Sequence, residues 1–144
     1  MSAATWSPWR QPIARVRSVD FWNRRERRLE KKPAYDWAEW LRALDGESGV
    51  YAFRDRETHG IFYIGHSRTG RLYSTITRHW QSWASPTNRT FDPTWCECRV
   101  LLCSDEEAPI LEAIAIQLAQ DAGEPLDNEQ NGRSYMPDDD DQPF

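Results

Sequence analysis

At 144 residues and 16.9 kDa, with 39% apolar residues and no apolar run near the ~20 residues of a membrane span, the chain has room for one domain with tails and no membrane partner. A net charge of −5 argues against a uniformly basic nucleic-acid binder, and the polar, Trp/Arg-rich start is not a secretory signal. The expectation is a cytoplasmic protein whose Cys96, Cys98 and Cys103 stay reduced and mostly buried, since their spacing matches a zinc site poorly.

Charge is spread unevenly along the chain. Residues 1–35 hold nine of the 18 basic residues and three of the 23 acidic ones, the pattern of a basic arm on a separate body. Residues 1–19, with Trp6, Pro8, Trp9 and Pro12, show no periodicity and read as an extended arm. Residues 20–32 read as a short basic helix with Asp20 as N-cap, stopped by Pro33. Asp36 then caps a second helix, in which Trp37, Trp40, Leu41 and Leu44 fall at helical spacing, and Gly46 ends it. Residues 1–46 thus form a basic N-terminal arm with helices, and the acidic tail 133–144, with Asp138–Asp141, is expected to be disordered.

Val50–Phe53 and Ile61–Ile64 read as two antiparallel strands joined by the polar loop Arg56–Gly60. Arg71–Trp83 reads as a helix with Leu72, Ile76, His79, Trp80 and Trp83 on one face. After a polar loop over Ser85–Pro93, Trp95–Cys103 forms a third strand. Ser104 and Glu107 make a capping box that opens a helix over Asp105–Asp121, with Pro109 tolerated near its start and Gly123 at its end.

Two tripeptides stand out on this framework: Gly49-Val50-Tyr51 and, eleven residues further on, Tyr63-Ile64-Gly65. With Glu112 and Asn128 downstream, they resemble the signature of the GIY-YIG nucleases, Val standing in the first Ile slot. The resemblance covers residues 47–132 and implies an α+β fold: a small three-stranded antiparallel sheet flanked by helices, here carrying an N-terminal basic arm. It implies a phage or mobile-element endonuclease that hydrolyses DNA phosphodiesters, with RNA also admissible, by means of one Mg2+ or Mn2+ ion. A single site cuts one strand, so a double-strand break calls for a homodimer or two events.

The resemblance also assigns roles. Tyr51 lies near the attacking water as general base or positioner; its free pKa of ~10 requires a neighbour's help. Tyr63 touches the phosphate or the water, and Gly65 lets the substrate backbone approach. Glu112, set among apolar neighbours on the last helix, holds the metal, and Asn128 supports the site or contacts phosphate, with Asn131 as a second choice. His79 sits near the base, and His66 is an alternative close to the centre. Arg24, Arg25 and Arg28 of the arm would contact substrate phosphates, with the arm's Trp residues stacking on bases or packing on the core.

One departure bears on activity. The family's transition-state arginine should stand eight residues after Gly65, where this chain has Tyr73. Aligned on His79 the slot falls on Thr75, flanked by Arg71 and Arg78 one helical turn to either side. Either arginine can substitute; if neither does, the domain is a catalytically weak or inactive module that binds nucleic acid or protein.

Overall fold

The computed structural model describes residues 5–83 and 93–127. The side chain of Trp83, the loop 84–92, Asn128, Asn131 and the acidic tail lie outside the described residues.

The architecture is α+β. In chain order it comprises β1 (Ile13–Asn23), β2 (Arg28–Trp37), the one-turn helix α1 (Glu39–Arg42), β3 (Gly49–Asp55), β4 (Ile61–Ser67), α2 (Leu72–Trp83), a 3-10 turn at Pro93–Trp95, β5 (Cys96–Leu102) and α3 (Ala108–Asp121). Val50 and Ala52 alternate with Tyr51 and Phe53, and all four are buried, so β3 is apolar on both faces and takes the sheet centre. The antiparallel order is β4-β3-β5.

Each face of this sheet carries one helix. α2 packs Leu72, Ile76 and Trp80 with Tyr51, Phe53, Cys98 and Val100. Trp80 meets Phe53 edge-on, with ring centroids 4.5 Å apart. α3 sets Leu111, Ala115, Ile116 and Ala119 against Val50, Ala52 and Ile64. The capping box before α3 is present: Ser104 Oγ and N donate to Glu107 Oε1, each at 3.1 Å, and Glu107 N returns a bond to Ser104 Oγ at 3.2 Å. Regular helix begins three residues later than expected, at Ala108, with Pro109 in its first turn.

The N-terminal region departs most from expectation. Residues 20–32 are not a helix: β1 and β2 form a hairpin of their own, in register from Ile13↔Trp37 to Asn23↔Arg28. Val19 and Phe21 share one face, and Val16 and Trp22 the other, so the period is two rather than 3.6. Asn23 Oδ1 accepts from Glu26 N at 2.9 Å and Arg27 adopts a positive φ of 54°, which closes the turn. Pro33 is tolerated because each strand of a two-stranded ribbon is an edge. Asp36 is no helix cap either; it lies in β2 and pairs with Arg15 at 2.9 Å and Arg17 at 3.0 Å. The expected second helix shrinks to α1, which still buries Leu41, and Leu44 follows it into the core.

Residues 6–10 lie along the outer edge of β5. Trp6 bridges Leu101 and Arg10 bridges Cys98, which covers an edge that would otherwise be open. Arg99 stacks between Trp6 and Trp9, 4.4 and 4.6 Å from the ring centres, and Arg54 lies 4.6 Å over Trp9. Trp6 and Trp9 therefore pack on the body instead of standing ready for bases. Cys96 and Cys98 are buried thiols, as expected, and burial pushes the Cys98 pKa far up, so it is unreactive.

Trp80 joins α2 to the sheet with no exposed surface. Trp80→Ala is expected to lower the unfolding free energy by about 3–5 kcal/mol in urea denaturation. A loss below about 1 kcal/mol would contradict this packing.

Candidate functional site

Register decides which motif residues meet. Tyr51 on β3 lies directly across from Gly65 on β4, and Phe53 across from Tyr63. A Cβ built on Gly65 would come 2.5 Å from the Tyr51 hydroxyl, so the phenol occupies the space that the missing side chain leaves. Gly65 was expected to admit substrate backbone; it admits Tyr51 instead.

The Tyr51 ring is 2% exposed and sits in an aromatic cluster. Tyr63 stacks nearly parallel to it at 6.2 Å, Phe53 lies at 5.3 Å, and His79 of α2 lies at 5.7 Å. His79 also lies 4.9 Å from the Tyr63 ring. Tyr51 Oη and His79 Nε2 are 3.0 Å apart. Burial, with a smaller effect from the neighbouring Arg78, pushes the His79 pKa down to about 4. His79 is thus neutral near pH 7. With its hydrogen on Nδ1 it accepts the phenolic proton of Tyr51 at Nε2.

The second pair of motif residues lies across the sheet. Side chains alternate along β4, so His66, next to Gly65, points to the α3 face, opposite Val50. There its Nδ1–H donates to Glu112 Oε1 at 3.0 Å, with the two side chains 8% and 19% exposed. Tyr51, Tyr63 and His79 form one cluster and His66 with Glu112 another. The expected single constellation is split by the sheet and approaches continuity only at the Gly65–His66 step. The apolar neighbours expected to surround Glu112 do so only in part, because Ile114 and Leu118 face outward at 50% and 64% exposure.

Thr75, in the arginine slot, is 1% exposed, and its hydroxyl lies 2.9 Å from Ser67 Oγ. This buried hydroxyl pair carried no sequence signal, because neither residue belongs to a motif. Arg71 leads into α2 and donates from Nε to Thr69 Oγ1 at 3.1 Å. Arg78 is exposed beside His79. The loop before α2 is tied to the body by Thr69 N donating to Asp105 Oδ1 at 3.0 Å and Gly70 N donating to Ser48 Oγ at 2.9 Å. Arg24, Arg25 and Arg28 stand at the far end of the β1–β2 hairpin, where Arg28 pairs with Glu30 at 2.8 Å.

No group of three or more His, Cys, Asp or Glu suited to a metal occurs among the described residues. Glu112 is a lone carboxylate whose only hydrogen-bond partner among the described residues is His66, on Oε1. That donor set fits a hard cation that keeps most of its water and takes further oxygens from phosphate, as Mg2+ does, and does not fit zinc.

Comparison with known protein families, with curated proteins and with solved structures returns no match.

The low His79 pKa sets a stability prediction. With a folded value of about 4 against 6.5 in the unfolded chain, the unfolded state binds more protons between those limits. The contribution is fully present above pH 6.5 and is lost as pH falls towards 4, at most about 3 kcal/mol. Urea denaturation at pH 6.5 and 4.5 should show wild type losing more stability than His79→Gln; equal losses would refute a neutral, desolvated imidazole.

Proposed function

We propose that the chain is a GIY-YIG-type endonuclease that hydrolyses DNA phosphodiesters with the help of one divalent cation. The observation that carries the reading is the Tyr51–Gly65 close approach, which brings both motif tyrosines together with His79.

Tyr51 and His79 supply the proton path. As water oxygen bonds to phosphorus and the bridging P–O bond breaks, the water proton passes to Tyr51 Oη and the phenolic proton to His79 Nε2. The departing oxygen takes a proton from solvent. Tyr63, stacked on Tyr51, orients the phenol and presents its own hydroxyl to the phosphate. Arg71 or Arg78 offsets charge on the pentavalent state. Glu112, oriented by His66, would hold the cation, Mg2+ or Mn2+, which offsets charge on the phosphate and the departing oxygen. A strand drawn to the Gly65–His66 end of β4 would address both clusters, since β4 is an edge strand.

A second reading has its own support. Tyr51 is almost wholly covered and Thr75 fills the arginine slot as a buried residue, which suits a binding module that retains the fold without the chemistry.

A nicking assay on supercoiled plasmid separates the two. The hydrolase reading expects Mg2+- or Mn2+-dependent nicking that EDTA abolishes and that Glu112→Gln lowers by about a hundredfold or more. Intact DNA binding with no nicking by wild type would sink the hydrolase reading and leave the module.

A further inference from the structure

The β1–β2 hairpin has features that the sheet chemistry does not use. Its strands pair only with each other, apart from the three-stranded sheet. Its root is anchored: Ile13 is 7% exposed, and Tyr35 and Trp37 pack against the core. From there ten residues per strand, at about 3.3 Å each, carry the ribbon some ~33 Å outward.

Charge along the ribbon is arranged with the surplus at its end. Nearer the root, Arg15 and Arg17 pair with Asp36, and Lys31 pairs with Asp20 at 2.6 Å. Arg28 pairs with Glu30. The tip residues Arg24, Arg25 and Arg27 are exposed and make no ion pair with any described residue. Beside them Trp22 and Leu29 face each other across the ribbon, 58% and 65% exposed. The cross-strand Trp–Leu pair steadies the ribbon but leaves most of its apolar surface in water, behind three guanidinium groups accompanied in the turn by the single carboxylate of Glu26.

We propose that this hairpin is a groove-binding β-ribbon for duplex DNA, with Arg24, Arg25 and Arg27 on backbone phosphates and Trp22 and Leu29 against the groove wall. A two-stranded ribbon fits the major groove, and local cations are what a polyanion recognises on a chain whose overall charge is −5. The choice of DNA over another polyanion rests on the hydrolase reading above. Trp6 and Trp9 are already committed to Arg99 and Arg54, so within the N-terminal region it is the ribbon tip that presents exposed aromatic and cationic side chains.

The test uses the full chain, a fluorescent 30-base-pair duplex and EDTA, with binding followed by anisotropy over a salt series. The probe is compared on wild type and on Arg24→Ala/Arg25→Ala/Arg27→Ala, whose melting temperatures are checked for equality. Losing three phosphate contacts should reduce the slope of log K against log salt by about 2 to 3 and weaken binding about tenfold or more near 0.1 M salt. Trp22→Ala should weaken binding with an unchanged slope. The proposal is overturned if the triple variant binds with wild-type affinity and slope, if wild type does not bind the duplex, or if it prefers anionic vesicles. Salt-dependent binding through the tip without nicking would remove the hydrolase reading alone. Nicking and binding that survive the triple substitution would remove the ribbon alone.

Discussion

The packing of Tyr51 over Gly65 is the constraint on which the rest of the site depends. It requires the antiparallel register that sets these two residues opposite each other, and a glycine at that one position of β4. Any Cβ there would displace the phenol from a space closed by Phe53, Tyr63 and His79. His79 in turn is positioned by α2, and α2 is fixed to the sheet by Trp80 against Phe53. A one-residue slip between β3 and β4 would send Tyr51 to the other face and dismantle the cluster at once.

Electrostatics divides the molecule into neutral and charged regions. Under α2 the site is aromatic and hydroxyl-bearing, and desolvation holds His79 neutral. Under α3 the carboxylate of Glu112 keeps about a fifth of its surface in solvent and is oriented by His66. The guanidinium groups are split likewise. Arg99 and Arg54 are absorbed by stacking on Trp6 and Trp9, which joins the N-terminal segment to β5. Those of the hairpin tip remain in solvent.

Much of the body was legible in the sequence because its local signals agree. The eleven-residue gap between the tripeptides fits a hairpin, Ser104 and Glu107 form the expected box, and the apolar stripe of Leu72, Ile76 and Trp80 faces the sheet. The N-terminal ribbon was not legible. Its two-residue period is masked by charged residues that suit a helix equally well, and Asp20 and Asp36 imitate N-caps while serving cross-strand ion pairs. The split of the candidate site follows from strand parity, since neighbours such as Gly65 and His66 must face opposite ways. Thr75 could be placed in the arginine slot by alignment, but its bond to Ser67 is a tertiary pairing that no local pattern announces.

The Tyr51–His79 pair tests the account most directly, and nitrogen-15 NMR of the imidazole at pH 6 reads it. The account predicts that His79 in wild type is uncharged, with Nδ1 carrying the hydrogen and Nε2 accepting from Tyr51, and that Gly65→Ala shifts the Nε2 signal as the phenol is displaced. A His79 that is protonated at pH 6, or whose Nε2 signal is indifferent to Gly65→Ala, would contradict it.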